Sequence, residues 1–245
     1  MTGKRARIAL AATVMALLAG VVLALARPAS TKLAPRPAGE RPELMLLTTL
    51  PIVFADELTL DAPASATLEA LQSRYRVVPI SVTAAYELGK RKLLLMAQPQ
   101  AQPAEALVEL DAWVRAGGRV LLLADPALEW ASDRPLGDLL RPPLAFADTG
   151  LLGHWGLRLD GPNGRGPASR TIDGREVRTV SAGALTATKP ACATVAQGLV
   201  ARCRLGEGRA VVIADADLLN VEAIEGAGKQ ANYGLLLEEL ARLEQ

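Results

Sequence analysis

The chain has 245 residues, of which 50% are hydrophobic and 3% aromatic, and its 27 basic and 26 acidic side chains leave a formal net charge of +1. About 200 residues of this apolar content bury a proper core, and one folded domain is the default expectation. Because the chain has neither a basic stripe nor the aromatic platforms on which bases stack, nucleic-acid binding is not expected.

Residues 1–26 are predicted to be a membrane anchor or a long signal sequence. Ile8–Ala26 is uncharged, and at about 1.5 Å per residue it nearly crosses a hydrocarbon core of about 30 Å. Lys4, Arg5 and Arg7 precede it, so the positive-inside rule predicts a single pass through the inner membrane with the bulk of the chain outside the cytoplasm. Cleavage at Ala26 stays open as the alternative, although the apolar run is longer than a usual signal-peptide core.

Residues 27–42 are predicted to be a linker, and residues 43–245 an extracytoplasmic α/β domain. The linker contains four prolines and no hydrophobic periodicity, which is typical of an extended tether. Seven of the 27 basic residues but one of the 26 acidic residues lie in residues 1–41, so the domain itself is mildly acidic.

The domain alternates apolar strands with amphipathic helices. Continuous apolar runs favour strands covered on both faces, and this alternation predicts parallel βαβ units. Gly117-Gly118 is expected to end the central helix, because glycine accepts a left-handed cap. The predicted strands are 44–50, 75–80, 93–97, 119–124 and 209–214, and the predicted helices are 64–74, 104–116 and 227–243.

Two stretches interrupt this alternation. Residues 127–171 are rich in Pro, Gly and Arg and are predicted to form an irregular excursion. Residues 171–205 alternate in short segments, and Asp173-Gly174 and Gln197-Gly198 indicate β-hairpins there.

The two cysteines are predicted to form a structural disulfide. A two-residue turn at Gln197-Gly198 places Cys192 directly across from Cys203, at a Cα separation that a disulfide accepts. An exported domain also meets an oxidising compartment. Free buried cysteines, or a reactive thiol or metal site, are the alternatives, but the chain has no Cys-x-x-Cys spacing.

Three aspartates follow predicted strands. Asp125, Asp215 and Asp217 come after apolar runs, and ligands of open parallel sheets bind at the carboxyl ends of the strands. The three carboxylates could hold a cation, but an aspartate after a strand more often caps the next turn. Capping is the favoured interpretation, and no cofactor is expected.

No complete reaction centre is visible. His154 is the single histidine and is interpreted as packed or hydrogen-bonded, and no Gly-x-Ser-x-Gly or Gly-x-Cys-x-Gly elbow occurs. Gln98-Pro99 stands where a nucleophile on a strand-to-helix turn would be sought. Gly206–Gly208 is too short for a phosphate loop and precedes a strand, so a turn is expected.

Three stretches together resemble a known family: LLLMAQPQAQPAEALVELDAWVRAGGRVLLLADP from Leu93, GEGRAVVIADADLLN from Gly206 and LTTLPIVFADE from Leu47. They are similar to the extracytoplasmic domain of uncharacterised ABC-transport auxiliary proteins of the gliding-motility GldG type, whose fold is like that of class I glutamine amidotransferases. The resemblance implies a flavodoxin-like sheet, a membrane anchor and a non-catalytic role beside a transporter. It transfers no catalytic residue.

The leading hypothesis is therefore a membrane-anchored, non-catalytic domain that binds a protein partner, such as a subunit of an ABC-type envelope transporter. The alternative is a metal-dependent hydrolase that uses Asp125, Asp215 and Asp217, which requires these carboxylates to converge on one ion. A purely structural envelope protein is the third possibility.

Overall fold

The computed structural model describes residues 33–53, 65–138, 140–220 and 227–245. The predicted membrane anchor at 1–26 lies outside these residues. None of the helices within them combines the length and the apolar character that crossing a bilayer requires.

The described residues contain five α-helices and eleven strands. The strands are Glu43–Thr48 (β1), Arg76–Pro79 (β2), Leu93–Ala97 (β3), Arg119–Leu123 (β4), Leu157–Asp160 (β5), Pro167–Ile172 (β6), Arg175–Val180 (β7), Ala184–Ala187 (β8), Cys192–Val195 (β9), Val200–Leu205 (β10) and Gly208–Ile213 (β11). The α-helices are Ala66–Gln72 (α1), Ala85–Leu88 (α2), Ala104–Arg115 (α3), Leu151–Trp155 (α4) and Ala227–Glu244 (α5). Single 3₁₀ turns lie at Ala38–Glu40, Ala196–Gly198 and Asp217–Leu219.

Seven strands form the central sheet in the order β2-β1-β3-β4-β11-β10-β9. The first five strands are parallel, and β10 and β9 extend the sheet in antiparallel fashion. Two small antiparallel pairs, β5 with β8 and β6 with β7, lie beside it. The predicted α/β class with a mostly parallel sheet is confirmed.

Both faces of the sheet are buried. Along β1, Leu44 and Leu46 pack into one apolar cluster with α1 and α5, whereas Met45 and Leu47 pack into a second cluster with α3 and α4. Covering on both faces removes the need for alternating polar positions, which is why the parallel strands are continuous apolar runs.

The end of α3 has the predicted glycine cap. Gly117 adopts φ +100° and donates its N–H to the carbonyl of Val114 at 2.9 Å, and Gly118 donates to the carbonyl of Trp113 at 3.0 Å. These two bonds are the Schellman arrangement, which satisfies carbonyls that the helix itself leaves open. The cap turns the chain directly into β4.

The described part of the predicted linker is bound to the domain rather than extended away from it. The Arg36 guanidinium donates to both carboxylate oxygens of Glu244 at 2.7 and 3.2 Å, and its backbone N–H donates to the Ser73 carbonyl at 2.9 Å. The same guanidinium lies 5.5 Å from the centre of the Tyr75 ring. The chain is therefore fixed where it enters the domain, near the amino-terminal ends of the parallel strands.

The excursion at 127–171 is more regular than predicted. It contains α4, β5 and the start of β6, and only its first part, up to residue 150, lacks helices and strands among the described residues. Arg and Gly interrupt the apolar periodicity of these short elements, so periodicity alone could not detect them.

The Asp173-Gly174 hairpin is confirmed, because Ile172 pairs with Arg175 and both turn residues have positive φ. The predicted two-residue turn at Gln197-Gly198 is wrong: the loop has four residues, 196–199, between Val195 and Val200. The predicted strand register is still correct, because the predicted two-residue loop and the observed four-residue loop are both centred between Gln197 and Gly198.

Cys192 therefore lies across from Cys203, and the two are joined by a disulfide with a Cα separation of 4.1 Å. The predicted pairing is confirmed. The bond ties the edge strand β9 to β10 and packs against the α4 side of the sheet, where Cys192 Sγ lies 3.3 Å from the carbonyl oxygen of Trp155. A disulfide fits an oxidising compartment outside the cytoplasm.

We expect replacement of both Cys192 and Cys203 by serine to lower the free energy of unfolding by about 2–3 kcal/mol, because the bond restricts the unfolded chain. Urea denaturation measures the loss, and Thr194→Ser on the same edge strand is the matched control. Alkylation before and after reduction, followed by mass measurement of protein recovered from the periplasm, checks the bond itself. Two thiols that react without reduction would contradict it.

Candidate functional site

The three predicted aspartates meet at the carboxyl-terminal edge of the sheet. Asp125 follows β4, and Asp215 and Asp217 follow its parallel neighbour β11. One carboxylate oxygen from each residue lies within 4.8 Å of those of the other two, and all three residues are buried. The convergence that the metal hypothesis requires is thus present.

The carboxylate of Asp125 bridges two loops. Its Oδ1 accepts the backbone N–H of Ala127 at 2.8 Å, which fixes the turn that leaves β4. Its Oδ2 accepts the N–H of Ala216 at 2.8 Å and that of Asp217 at 3.4 Å, which fixes the turn that leaves β11. The side chain thus joins the ends of two adjacent parallel strands.

The other two carboxylates connect β11 to more distant segments. Asp215 Oδ1 accepts the N–H of Leu218 at 2.9 Å and caps the following 3₁₀ turn, while Oδ2 accepts the N–H of Val180 at 3.0 Å at the end of β7. Asp217 Oδ2 accepts the N–H of Glu129 in the excursion at 2.7 Å. Five of the six oxygens in the group therefore accept backbone N–H groups.

Burial raises the pKa of all three carboxyl groups, because a low-dielectric interior penalises the charged form. The pKa of Asp215 is raised well above its usual range, and the neighbouring Asp125 carboxylate adds to that effect. Burial raises the pKa of Asp217 to about 7, with Asp125 and Glu129 as further causes. The pKa of Asp125 is also raised, despite its backbone donors. The group is thus protonated in part at neutral pH.

The chemistry of this group fits capping better than metal binding. Carboxylate oxygens are suitable ligands for Mg²⁺ or Ca²⁺. However, five of these oxygens already accept backbone N–H groups, which occupy lone pairs that a cation would otherwise use. The favoured interpretation of the three aspartates as caps therefore agrees with their contacts.

Gln98, directly after β3, occupies the position where a nucleophile would be sought. Its φ is +44°, a conformation that costs a non-glycine residue energy and that is also found in nucleophile elbows. Its fully buried side chain accepts the N–H of Asp125 at 2.9 Å and donates to the carbonyls of Asp125 and Pro143 at 3.1 and 3.0 Å. The side chain at the elbow position is therefore an amide that is hydrogen-bonded to backbone groups.

The first part of the excursion lies over this edge. Phe146 donates its N–H to the Asp125 carbonyl at 2.6 Å, and Leu128 donates to the carbonyl of Leu144 at 2.9 Å. The same segment exposes three large apolar side chains, Leu136 at 75%, Leu140 at 62% and Leu144 at 50%. Sequence patterns missed this surface, because leucines without helical or strand spacing do not reveal which face they occupy.

His154 lies elsewhere, on α4 beside α3. Its Nε2 is 3.3 Å from Asp111 Oδ2 and 3.3 Å from an Arg115 nitrogen, and its side chain is exposed. Gly206 and Glu207 form the turn between β10 and β11, and Gly208 is the first residue of β11. Neither feature contributes to the carboxylate group.

The fold and this edge define a mixed α/β domain with a mostly parallel sheet. No protein-family model and no curated protein matches the chain. Among solved structures, the chain is similar to the exo-β-1,4-mannosidase Op5Man5 from Opitutaceae bacterium strain TAV5, with 14% identity, a TM-score of 0.50, and coverage of 82% of this chain and 36% of the mannosidase. The chain thus spans about a third of that enzyme.

Two further structures are matched over nearly their whole length. The mmIFT52 N-terminal domain has 14% identity and a TM-score of 0.51, with coverage of 81% of this chain and 97% of that domain. The cytoplasmic protein STM1381 from Salmonella typhimurium LT2 has 10% identity and a TM-score of 0.51, with coverage of 81% and 99%. At these identities the likeness concerns the fold alone.

We expect the folded protein to lose stability as the pH rises from about 4 to about 7. The pKa of Asp217 is raised from 3.8 to about 7, so in this range the folded state binds a proton that the unfolded state has released. In the Asp217→Asn variant, the fall in the free energy of unfolding between these pH values should be smaller by at most about 4 kcal/mol, at about 1.4 kcal/mol per pKa unit.

Urea denaturation at a series of pH values measures this slope. Asp133→Asn, at an exposed position in the excursion, is the control and should run parallel to the wild type. If Asp217→Asn also runs parallel, the carboxyl group does not carry the proton.

Proposed function

We propose that this chain is a non-catalytic, extracytoplasmic domain of amidotransferase-like architecture that binds a protein partner in an ABC-type envelope transport system. The order of its five parallel strands, β2-β1-β3-β4-β11, is that of flavodoxin-like sheets and supports this architecture. The resemblance to membrane-tethered transport auxiliaries supports the partner class.

The proposal rests on one observation: the carboxyl-terminal edge of the sheet is covered by other parts of the chain. In open parallel sheets this edge is where ligands bind. Here the excursion lies over it, Gln98 fills the elbow position, and backbone N–H groups engage the aspartates. These contacts leave little room for chemistry at the usual place.

The same excursion supplies a surface for protein contact. Leu136, Leu140 and Leu144 lie close together in the chain and expose at least half of their surface. Exposed apolar side chains that form one contiguous patch are characteristic of surfaces that bind other proteins. Gln98 donates to the Pro143 carbonyl, and Gln100 donates to the Arg141 carbonyl at 3.3 Å, so the segment is anchored at its base.

The proposed location combines two features. The apolar stretch at 8–26 is long enough to hold the domain at the inner membrane, and the Cys192–Cys203 disulfide suits an oxidising compartment. A domain anchored in this way works beside membrane complexes, which agrees with the transport hypothesis.

We expect crosslinking in native membranes to capture a subunit of an ABC-type transporter. Leu136→Glu combined with Leu140→Glu should reduce its recovery at least fivefold, because two charges replace apolar contact area, while the melting temperature changes little. Val108→Glu is the matched control, since Val108 is 69% exposed on α3. If no transporter subunit is recovered under conditions that preserve complexes, the proposal is wrong.

The second candidate is a metal-dependent hydrolase, which the convergence of Asp125, Asp215 and Asp217 favours. On the leading proposal, Mg²⁺, Ca²⁺ and Mn²⁺ give no saturable heat of binding, and dialysis against a chelator leaves the melting temperature unchanged. The opposite result supports the enzyme: saturable binding that Asp215→Asn removes, together with ester hydrolysis that needs the same ion.

A further inference from the structure

A cavity of about 250 Å³ lies beside the end of β7. It is bordered by the glycine-rich loop before β6, by the end of β7 and by the turn after β9. The side chains that line it include Arg165, Arg170, Thr179, Ser181 and Gln197. No Asp or Glu is among the described residues that line it.

We propose that this cavity binds a small soluble phosphate monoester, with Arg170 as its main ligand and Arg165 as a second one. This ligand site is separate from the protein-binding surface proposed above. Either site can fail without the other.

Arg170 carries the argument, because it is a partly buried cation without a partner in the described residues. It lies on the inward face of the β6–β7 hairpin, opposite Val177. The other partly buried arginines of the described chain each reach an acceptor: Arg175 contacts Glu238 and Arg202 contacts Glu239, for example. None of its guanidinium N–H donors reaches an acceptor among the described residues, so these donors remain open to the cavity that Arg170 lines. An anion in the cavity would supply that acceptor.

Hydrogen bonds within the chain hold the wall of the cavity. Ser181 donates its N–H to the Gly166 carbonyl at 2.9 Å and accepts the N–H of Gly166 on its Oγ at 2.8 Å. The Ser181 hydroxyl also donates to the Glu129 carboxylate. This reciprocal pair fixes the glycine-rich loop against the end of β7, and Ser181 adopts φ +47° to make it. A fixed wall lowers the entropy cost of binding.

Charge and size select the ligand class. Two guanidinium groups match the charge of about −1.5 to −2 that a phosphate monoester carries at pH 7. The nearby Glu129 carboxylate does not line the cavity and is bonded to the Ser181 hydroxyl. Guanidinium also matches phosphate oxygens with paired N–H donors. The cavity is smaller than the usual range for drug-sized ligands, so the ligand is small. Thr179 adds a hydroxyl for a sugar-like body.

Isothermal titration of the full chain in detergent micelles with glucose 6-phosphate and with inorganic phosphate tests the proposal. At constant ionic strength, both should bind saturably, and glucose should not. Arg170→Gln should weaken binding of both anions at least tenfold, and Arg165→Gln should weaken it less. Arg178→Gln is the matched control, because Arg178 is exposed on the same hairpin and contacts Ser169.

Two outcomes rule out phosphate binding in this cavity altogether. One is the absence of saturable binding of either anion to a wild-type protein with its normal melting temperature. The other is an equal affinity of the wild type, Arg165→Gln and Arg170→Gln, with melting temperatures unchanged. If only sedimentation with phosphatidylglycerol vesicles depends on Arg170, the ligand is a lipid headgroup and the assignment to a soluble monoester is wrong.

Discussion

The structure depends on the burial of three carboxyl groups at the ends of two adjacent parallel strands. A buried carboxyl group must be hydrogen-bonded or neutralised, because its charged form loses most of its hydration. Both solutions are used here: backbone N–H groups engage five oxygens, and burial raises the pKa of Asp217 to about 7. The chain around the carboxyl groups has little freedom to move without breaking these bonds.

This constraint explains why irregular chain covers the edge of the sheet. Asp125 fixes the turn after β4, Asp215 reaches the end of β7, and Asp217 reaches Glu129 in the excursion. Each such bond contributes about 1 kcal/mol, and about 1.5–3 kcal/mol where the acceptor is charged, which is appreciable beside the total stability of a domain. Segments that are distant along the chain are thereby held over the place where an open α/β sheet would admit a ligand.

The sequence predicts the parts of the fold that rest on local pattern. The apolar run Leu93–Ala97 and the cap at Gly117-Gly118 depend on neighbours in the chain, and both are found where expected. The pairing of Cys192 with Cys203 could also be predicted, because the centre of a hairpin alone determines which residues lie opposite each other. The partners of the aspartates could not be predicted from the sequence, because the N–H groups of Val180 and Glu129 reach them through tertiary contacts. No spacing rule encodes such contacts.

The strained conformation of Gln98 links these observations. A non-glycine residue at φ +44° costs of order 1–3 kcal/mol and persists only where its surroundings compensate. In an enzyme with an elbow, the strain exposes a nucleophile. Here the same backbone directs an amide into three bonds with Asp125 and Pro143, so the strain contributes to packing of the excursion. A nucleophile in place of the Gln98 amide would lose those bonds, and the excursion would no longer be held over the edge of the sheet. At this position, a side chain can therefore either hold the excursion or act as an elbow nucleophile, but not both.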